Sequence, residues 1–368
     1  MEELKSSYFV TYRVIMPLFV VMGLLANGLC VAVLVSPRLR QAHVNRYFLL
    51  LAICDISVCL SYIPVIITVT GCQLSTYGLA YYFAHFCWTI TCTCHAFGTY
   101  TILWLAFDRF MAVWMYIYYQ KTHKSGYFMR MRIIITYIGC FMLHLPYMIR
   151  GNVGCANVDE TDVFTCPNSS WVSLDGFEYD FNEPWHQTYR YIYSFSVRWL
   201  PSLLLVICNL GMILGVCKGK INFPSGHIGK RNGERNLIIT MIAMTASYII
   251  FTTPITIYLT FYADKRCTDS PEENLRHIGN SLQLFEHVTH IVFLIALNTK
   301  FRKQIRIILH ISQPGDELDS KVYSESSENK ALRDKALRDK ALRDKPLRDT
   351  ICLSQLQRQG EEDSILTN

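Results

Sequence analysis

Seven stretches of this chain are apolar for longer than a soluble core segment needs. They run over roughly 10–35, 47–70, 86–113, 132–149, 191–216, 237–262 and 278–297. A helix crosses about 30 Å of hydrocarbon with about 20 mostly apolar residues. The runs meet that length, the fourth being the shortest and the seventh the weakest, since it carries Glu286, His287 and His290. Lipid cannot satisfy exposed peptide groups, so segments of this kind must be helical. The expected fold class is all-α membrane, a seven-transmembrane helix bundle. Charged residues make up only 17% of the 368, against about a quarter in soluble domains. Few polar residues precede the first run, which is too long for a cleavable signal peptide. The 14 cysteines are read mainly as small apolar packing residues, with disulfides confined to loops outside the cell.

The connecting loops differ in charge. Arg38, Arg40 and Arg46 follow the first run, and Lys121, Lys124, Arg130 and Arg132 follow the third without an acid. Lys218, Lys220, Lys230, Arg231 and Arg235 stand against Glu234 alone after the fifth, and Lys300, Arg302, Lys303 and Arg306 follow the seventh. The loop between runs four and five is the reverse, with Asp159, Glu160, Asp162, Asp175, Glu178, Asp180 and Glu183 against Arg150 and Arg190. Basic loops stay cytoplasmic. The expected topology is a multi-pass plasma-membrane protein, N-terminus extracellular and C-terminus cytoplasmic. Nothing in the chain points to a nucleic-acid partner.

Ionisable groups inside the runs are functional candidates, because a bilayer penalises charge. Asp55 sits in the middle of run two, and Glu286 and His290 in run seven. A water-filled polar cluster among these groups is expected. His95 and His144 are read as satisfied interior residues, and no metal-ligand spacing is visible. Asp108 and Arg109 interrupt run three as an adjacent acid–base pair, expected where an apolar helix meets water.

The tail carries Lys-Ala-Leu-Arg-Asp three times and then Lys-Pro-Leu-Arg-Asp over residues 330–349. A five-residue period turns about 140° per repeat on an α-helix, so Leu332, Leu337, Leu342 and Leu347 make no stripe. The segment is expected to be solvated. Ser320, Ser324, Ser326 and Ser327 beside Glu325 and Glu328 are candidate kinase sites. The expected division is 1–9 extracellular, 10–297 seven-transmembrane domain, 298–311 amphipathic helix and 312–368 cytoplasmic tail.

The triplet Asp108-Arg109-Phe110 resembles the Asp/Glu-Arg-Tyr signature of rhodopsin-like (class A) G-protein-coupled receptors. Ala26-Asn27-Gly28 resembles that family's first-helix Gly-Asn pair, and Leu51-Ala52-Ile53-Cys54-Asp55 its second-helix Leu-Ala-x-x-Asp. Pro64, Pro201 and Pro254 fall where the family has helix-distorting prolines. Phe301-Arg302 resembles the start of its short amphipathic eighth helix. The match covers roughly 8–310. Departures are clear: the span-seven Asn-Pro-x-x-Tyr is His290-Ile-Val-Phe-Leu294 here, and the Trp of Cys-Trp-x-Pro is absent from Phe251-Thr252-Thr253-Pro254. The entry to span two and the Asn298-Thr-Lys-Phe-Arg302 exit resemble invertebrate FMRFamide-type neuropeptide receptors.

The resemblance implies no enzymatic activity, a ligand on the extracellular side and a heterotrimeric G protein on the inner side. It implies an inactive-state latch between Arg109 and Glu234, the latter 20 residues before Pro254, about 30 Å of helix. Asn27, Asp55, Glu286 and His290 would form the intramembrane polar cluster, with a candidate sodium ion near Asp55 and no other cofactor. Cys87 would pair with Cys166, with Cys155 as the alternative and Cys72 and Cys267 also open. Asn168 heads a glycosylation sequon. Ligand-cavity candidates are Thr91, His95, Trp185, Tyr262 and Gln283. No acid stands at the aminergic position (Thr91) and span seven has no Lys for a retinal Schiff base. The acidic, aromatic loop suits a cationic, partly apolar ligand such as a short basic peptide. A small chemosensory ligand on the same fold is the alternative, and an ion- or proton-coupled transporter a more distant one. Membrane lipid, kinases and arrestin are the other expected partners.

Overall fold

The computed structural model describes residues 8–40, 42–70, 76–115, 117–119, 127–155, 171–175, 184–218, 228–262 and 271–309, some of them by their backbone alone. Seven helices are long and apolar enough to cross a membrane: Tyr8–Leu34, His43–Thr68, Tyr77–Trp114, Tyr127–Ile149, Thr188–Cys217, Asn236–Phe261 and Asn274–Leu297. They are called spans 1 to 7 below. Span 3 begins at Tyr77 rather than near 86, and span 4 at Tyr127 rather than 132, so span 4 is not short. Both extensions are half-polar turns that hydropathy alone misses but that continue a helix already formed, where each added residue gains a hydrogen bond.

Span 1 packs along spans 2 and 7, span 2 along span 3, and span 6 along span 7, while span 3 also meets spans 4 and 5. Span 3 is thus the axis of the bundle. One buried cluster, including Met16, Val20, Val58, Tyr62, Phe83 and Leu284, joins spans 1, 2, 3 and 7. A second, of Cys54, Ala96, Phe97, Cys140, Tyr193 and Val197, joins spans 2 to 5. Large apolar side chains also point outward: Leu25 is 72% exposed, Ile135 62% and Ile250 64%. A soluble monomer does not carry such a girdle; here it is the lipid-facing surface.

Span 7 shows how a segment with Glu286 and two histidines can cross. Gln283, Glu286, His287 and His290 recur at three- and four-residue spacing, so they share one helical face, and the last three are buried. Ile278 and Val292, on the other side, are more than half exposed. Span 7 approaches span 6 very closely at Gly279, where a Cβ would lie 2.8 Å from the backbone nitrogen of Ile255.

Three spans widen into π-helical turns, Thr11–Ile15, Phe83–Cys87 and Phe195–Trp199. Two of these lie just before a proline, Pro17 and Pro201. A proline has no N–H to close the preceding turn and its ring crowds it, so the turn opens. Pro64 and Pro254 lie inside their helices, as does Pro146 of span 4. Between spans 4 and 5, β1 (Gly151–Cys155) pairs antiparallel with β2 (Trp171–Asp175), Gly151 opposite Asp175. After span 7 comes the helix Thr299–Ile308. Phe301 on it is fully buried, and Asn298 Oδ1 accepts from the Phe301 N–H at 3.1 Å, closing its first turn. Phe301, Ile305 and Ile308 share a face and Lys300, Lys303 and Arg306 lie off it, the amphipathic pattern of a surface helix. Residues 1–304 form one compact unit and 305–368 a second; in the second the described residues are the end of this helix. The pentapeptide repeats and tail serines lie outside the described residues.

Candidate functional site

At the Asp108 end of the bundle, span 3 presents Asp108 and Arg109 one after the other, 100° apart around the helix. They therefore face different neighbours. Both are buried against neighbouring spans: Asp108 is 2% exposed and Arg109 is 8% exposed. Arg132 of span 4 grips the Asp108 carboxylate in a fork, Nη1 to Oδ1 at 2.7 Å and Nη2 to Oδ2 at 3.3 Å. Tyr47 of span 2 donates its hydroxyl to Oδ2 at 2.7 Å. The Arg132 guanidinium lies 5.0 Å over the Trp104 ring, whose indole N–H is held by Thr136 at 2.9 Å. Asp108 thus ties spans 2, 3 and 4 together through charge-assisted hydrogen bonds, among the stronger polar contacts available. Arg109 donates from Nη2 to the Tyr119 hydroxyl at 3.0 Å.

Arg132 is the residue the sequence reading placed wrongly. Read as a loop charge serving topology, it lies in the first turns of span 4 and is bound to Asp108. It is the first residue of the fourth apolar run, and no local pattern marks which helix face meets span 3. Glu234 lies within the helix Ile228–Phe261, but its side chain is outside the described ones, so the Arg109–Glu234 latch stays an expectation.

Midway along the bundle a second constellation joins spans 1, 2, 3 and 7. Asp55 is fully buried and each carboxylate oxygen accepts one imidazole, His287 Nδ1 at 2.8 Å on Oδ1 and His290 Nδ1 at 2.7 Å on Oδ2. Glu286 Oε1 lies 2.7 Å from His290 Nε2 and Oε2 lies 3.6 Å from His287 Nδ1. The 2.7 Å approach is an ion-pair contact off the hydrogen-bonding line, and neither atom has another partner. On the other side, His287 Nε2 meets His95 Nδ1 at 3.1 Å, and His95 Nε2 meets Gln283 Nε2 at 2.7 Å. With the Gln283 amide donating, the polarity is consistent along the line: Gln283 to His95, His95 to His287, His287 to Asp55. Asn27 donates from Nδ2 to the carbonyls of Gly23 at 3.0 Å and His287 at 2.9 Å, anchoring span 1 to span 7.

The structure therefore brings Asn27, Asp55, Glu286 and His290 into one cluster. His287 belongs at its centre, and His95 and Gln283, named from the sequence as ligand-cavity residues, extend it. A sodium ion, which the resemblance implies beside Asp55, needs hard oxygen ligands. Both Asp55 oxygens are occupied by imidazoles, and Gly98 of span 3 brings no side-chain oxygen. The donor set does not fit sodium.

The other predicted positions fall as follows. Thr91 is buried and bonds back to the Cys87 carbonyl at 2.7 Å. Tyr262 follows directly on the end of span 6, partly buried. Trp185 lies at the start of the helix Pro184–Ser194, its side chain outside the described ones. Cys87 departs from expectation: it is a free thiol, fully buried, with Sγ directed at the Ser61 carbonyl 3.6 Å away. It sits on the π-turn of span 3, which aims it at span 2 rather than out of the bundle, so the Cys87–Cys166 bond is not formed here. Cys166 and Asn168 lie outside the described residues, as does the Cys155 side chain.

One residue went unnoticed in the sequence. Arg198 of span 5 is partly buried within the bundle. It donates to the Ile255 carbonyl at 3.5 Å, with its guanidinium 5.9 Å from the Tyr193 ring. Its buried Nε has no hydrogen-bond partner, and among the described residues no carboxylate pairs with it. Its charge reaches Tyr62, Cys92, His95, His144 and Tyr248 on spans 2, 3, 4 and 6. An arginine inside an apolar run was itself the signal.

No individual curated protein matches the chain. The family model described as 7 transmembrane receptor (rhodopsin family) matches residues 26–295, most of the chain, from the last third of span 1 to near the end of span 7. With seven membrane-length helices, an Asp-Arg pair closing span 3 and a buried Asp in span 2, the chain belongs to the rhodopsin family of seven-transmembrane G-protein-coupled receptors.

Proposed function

We propose that this receptor sits in the plasma membrane with its N-terminus outside, binds a short extracellular neuropeptide and activates a heterotrimeric G protein. Arg198 carries the ligand half of the proposal. An intramembrane guanidinium without a carboxylate partner among the described residues is costly unless an acceptor reaches it. The carbonyl or carboxylate oxygens at a peptide's C-terminus are such acceptors, and Tyr193 and Tyr248 beside Arg198 offer aromatic faces to the adjoining side chain. The peptide's cationic part would then meet the acidic loop between spans 4 and 5. The resemblance to FMRFamide-type receptors supports the same ligand class.

Binding shifts the receptor toward a state only through differential affinity for it. In the active state span 6 swings out, Arg109 leaves Glu234, and Arg109 with the basic loops receives the G protein. Kinases and arrestin would act at the tail serines. The test is a second-messenger screen in cells with a promiscuous Gα against amidated neuropeptides and their free acids. A response lost in Arg109→Ala and weakened at least tenfold in Arg198→Gln is expected. A peptide response that Arg198→Gln leaves unchanged overturns the Arg198 contact. Silence to peptides with a response to small chemosensory compounds overturns the ligand class. Ligand-independent currents or proton flux overturn the receptor mechanism in favour of transport.

A further inference from the structure

We propose that Asp55, His287 and His290 bind a divalent transition-metal ion of the Zn2+ class, clamping span 2 to span 7, with Glu286 beside His290 as a second buried carboxylate. The donor set is the first argument. Two imidazole nitrogens and carboxylate oxygens suit a borderline ion such as zinc, not sodium or magnesium. The donor atoms of Asp55, His287 and His290 all lie within 4.8 Å of one another. Each Nδ1–Asp55 contact is 2.7–2.8 Å. Ligands at about 2.0–2.1 Å from a tetrahedral zinc stand about 3.3 Å apart, so each contact has to open by only about half an ångström. Glu286 lies outside this group and leaves the fourth position to water.

Charge is the second argument. Two carboxylates and two imidazoles are buried together, Asp55 at 0% and Glu286 at 1% exposure. Buried charge must be compensated. One divalent ion balances the two carboxylates while both histidines stay neutral, the state in which imidazole is a ligand.

The outer contacts are the third. Ligating histidines characteristically hand their second nitrogen to a carboxylate or another acceptor, which orients the ring. Here His290 has its Nε2 2.7 Å from Glu286 Oε1, and His287 has its Nε2 3.1 Å from His95 Nδ1. Both Glu286 Oε1 and His290 Nε2 lack an aligned hydrogen bond. A metal on Nδ1 fixes the proton on Nε2 and lets the ring turn to donate it. The same change reverses the polarity of the His287–His95–Gln283 line, since His95 must then donate to Gln283, whose amide must present its oxygen. Metal occupancy is thereby communicated to a residue of the proposed ligand cavity.

The experiment uses the full-length receptor purified in detergent, stripped with chelator, incubated with Zn2+ and desalted. Metal content by mass spectrometry is expected at one zinc per receptor, falling at least tenfold in the His287→Asn, His290→Asn double variant. Wild-type receptor that retains no zinc overturns the proposal, as does a double variant that retains as much. Should the double variant fail to fold, X-ray absorption at the zinc edge of the wild type decides. A nitrogen and oxygen shell with imidazole scattering is expected. A sulfur shell would place the ion on Cys30, Cys54 or Cys59, which lie within electrostatic reach of Asp55, and would overturn the assignment.

Discussion

Replacing Arg132 by Met isolates the contact that ties span 4 to the Asp-Arg pair. The Asp108 side chain is 3% exposed and that of Arg132 21%, so the pair is largely shielded from solvent. Two unit charges about 4 Å apart attract by about 4 kcal/mol at an effective dielectric of 20. Stranding a buried charge by removing its partner costs about 3–5 kcal/mol. Tyr47 still donates to Asp108 in the variant, which puts the expected loss at the lower end, about 3 kcal/mol. Asp108→Asn should cost less, about 1–2 kcal/mol, because Arg132 can turn toward water. The double variant strands no carboxylate, so the cycle should show a coupling of about 2 kcal/mol. The assay is reversible unfolding of purified receptor in mixed micelles, followed by tryptophan fluorescence, with Trp104 stacked on Arg132 as the local reporter. Single-variant losses that add to within about 0.5 kcal/mol would refute the reasoning.

Four further outcomes follow from the same geometry. Gly279→Val pushes a side chain against the span-6 backbone at Ile255 and should cost about 1–3 kcal/mol, read as lower melting temperature and surface expression; unchanged stability would mean spans 6 and 7 can separate. Cys87→Ala should leave surface expression and its sensitivity to reductant unchanged, since the thiol is free, whereas lost expression together with lost reductant sensitivity would show a disulfide there. Glu234→Ala should raise ligand-free signalling at equal surface expression if Arg109 is latched to it, and an unchanged baseline counts against the latch. Asn27→Leu removes the hydrogen bond to the His287 carbonyl that joins span 1 to span 7 and a second one to Gly23 within span 1, and at about 1 kcal/mol each it should lower stability by about 2 kcal/mol in the unfolding assay.

The membrane class, the count of spans and the family were legible in the chain itself. Hydropathy is a sum over neighbours in sequence, and a window of about 20 residues contains its own answer. The choice of Asp55 and Glu286 as interior groups was legible for the same reason: no outward-facing position in lipid tolerates them. Which imidazole meets which carboxylate oxygen was not. His287 and Asp55 are 232 residues apart, and no spacing rule links them, so their contact is seen only in the fold.

Arg132 and Cys87 teach the same lesson from the other side. A basic residue at the start of an apolar run is read by charge bias as a loop residue, and a cysteine near the start of span 3 is read by resemblance as half a disulfide. The packing of span 4 on span 3 and one widened turn in span 3 aim them at Asp108 and Ser61. The sequence by itself determined which segments leave water, because transfer free energy is local and additive. Only the tertiary structure decided how each helix is rotated about its axis. That rotation depends on packing partners distant in sequence, and it alone determines which buried groups meet.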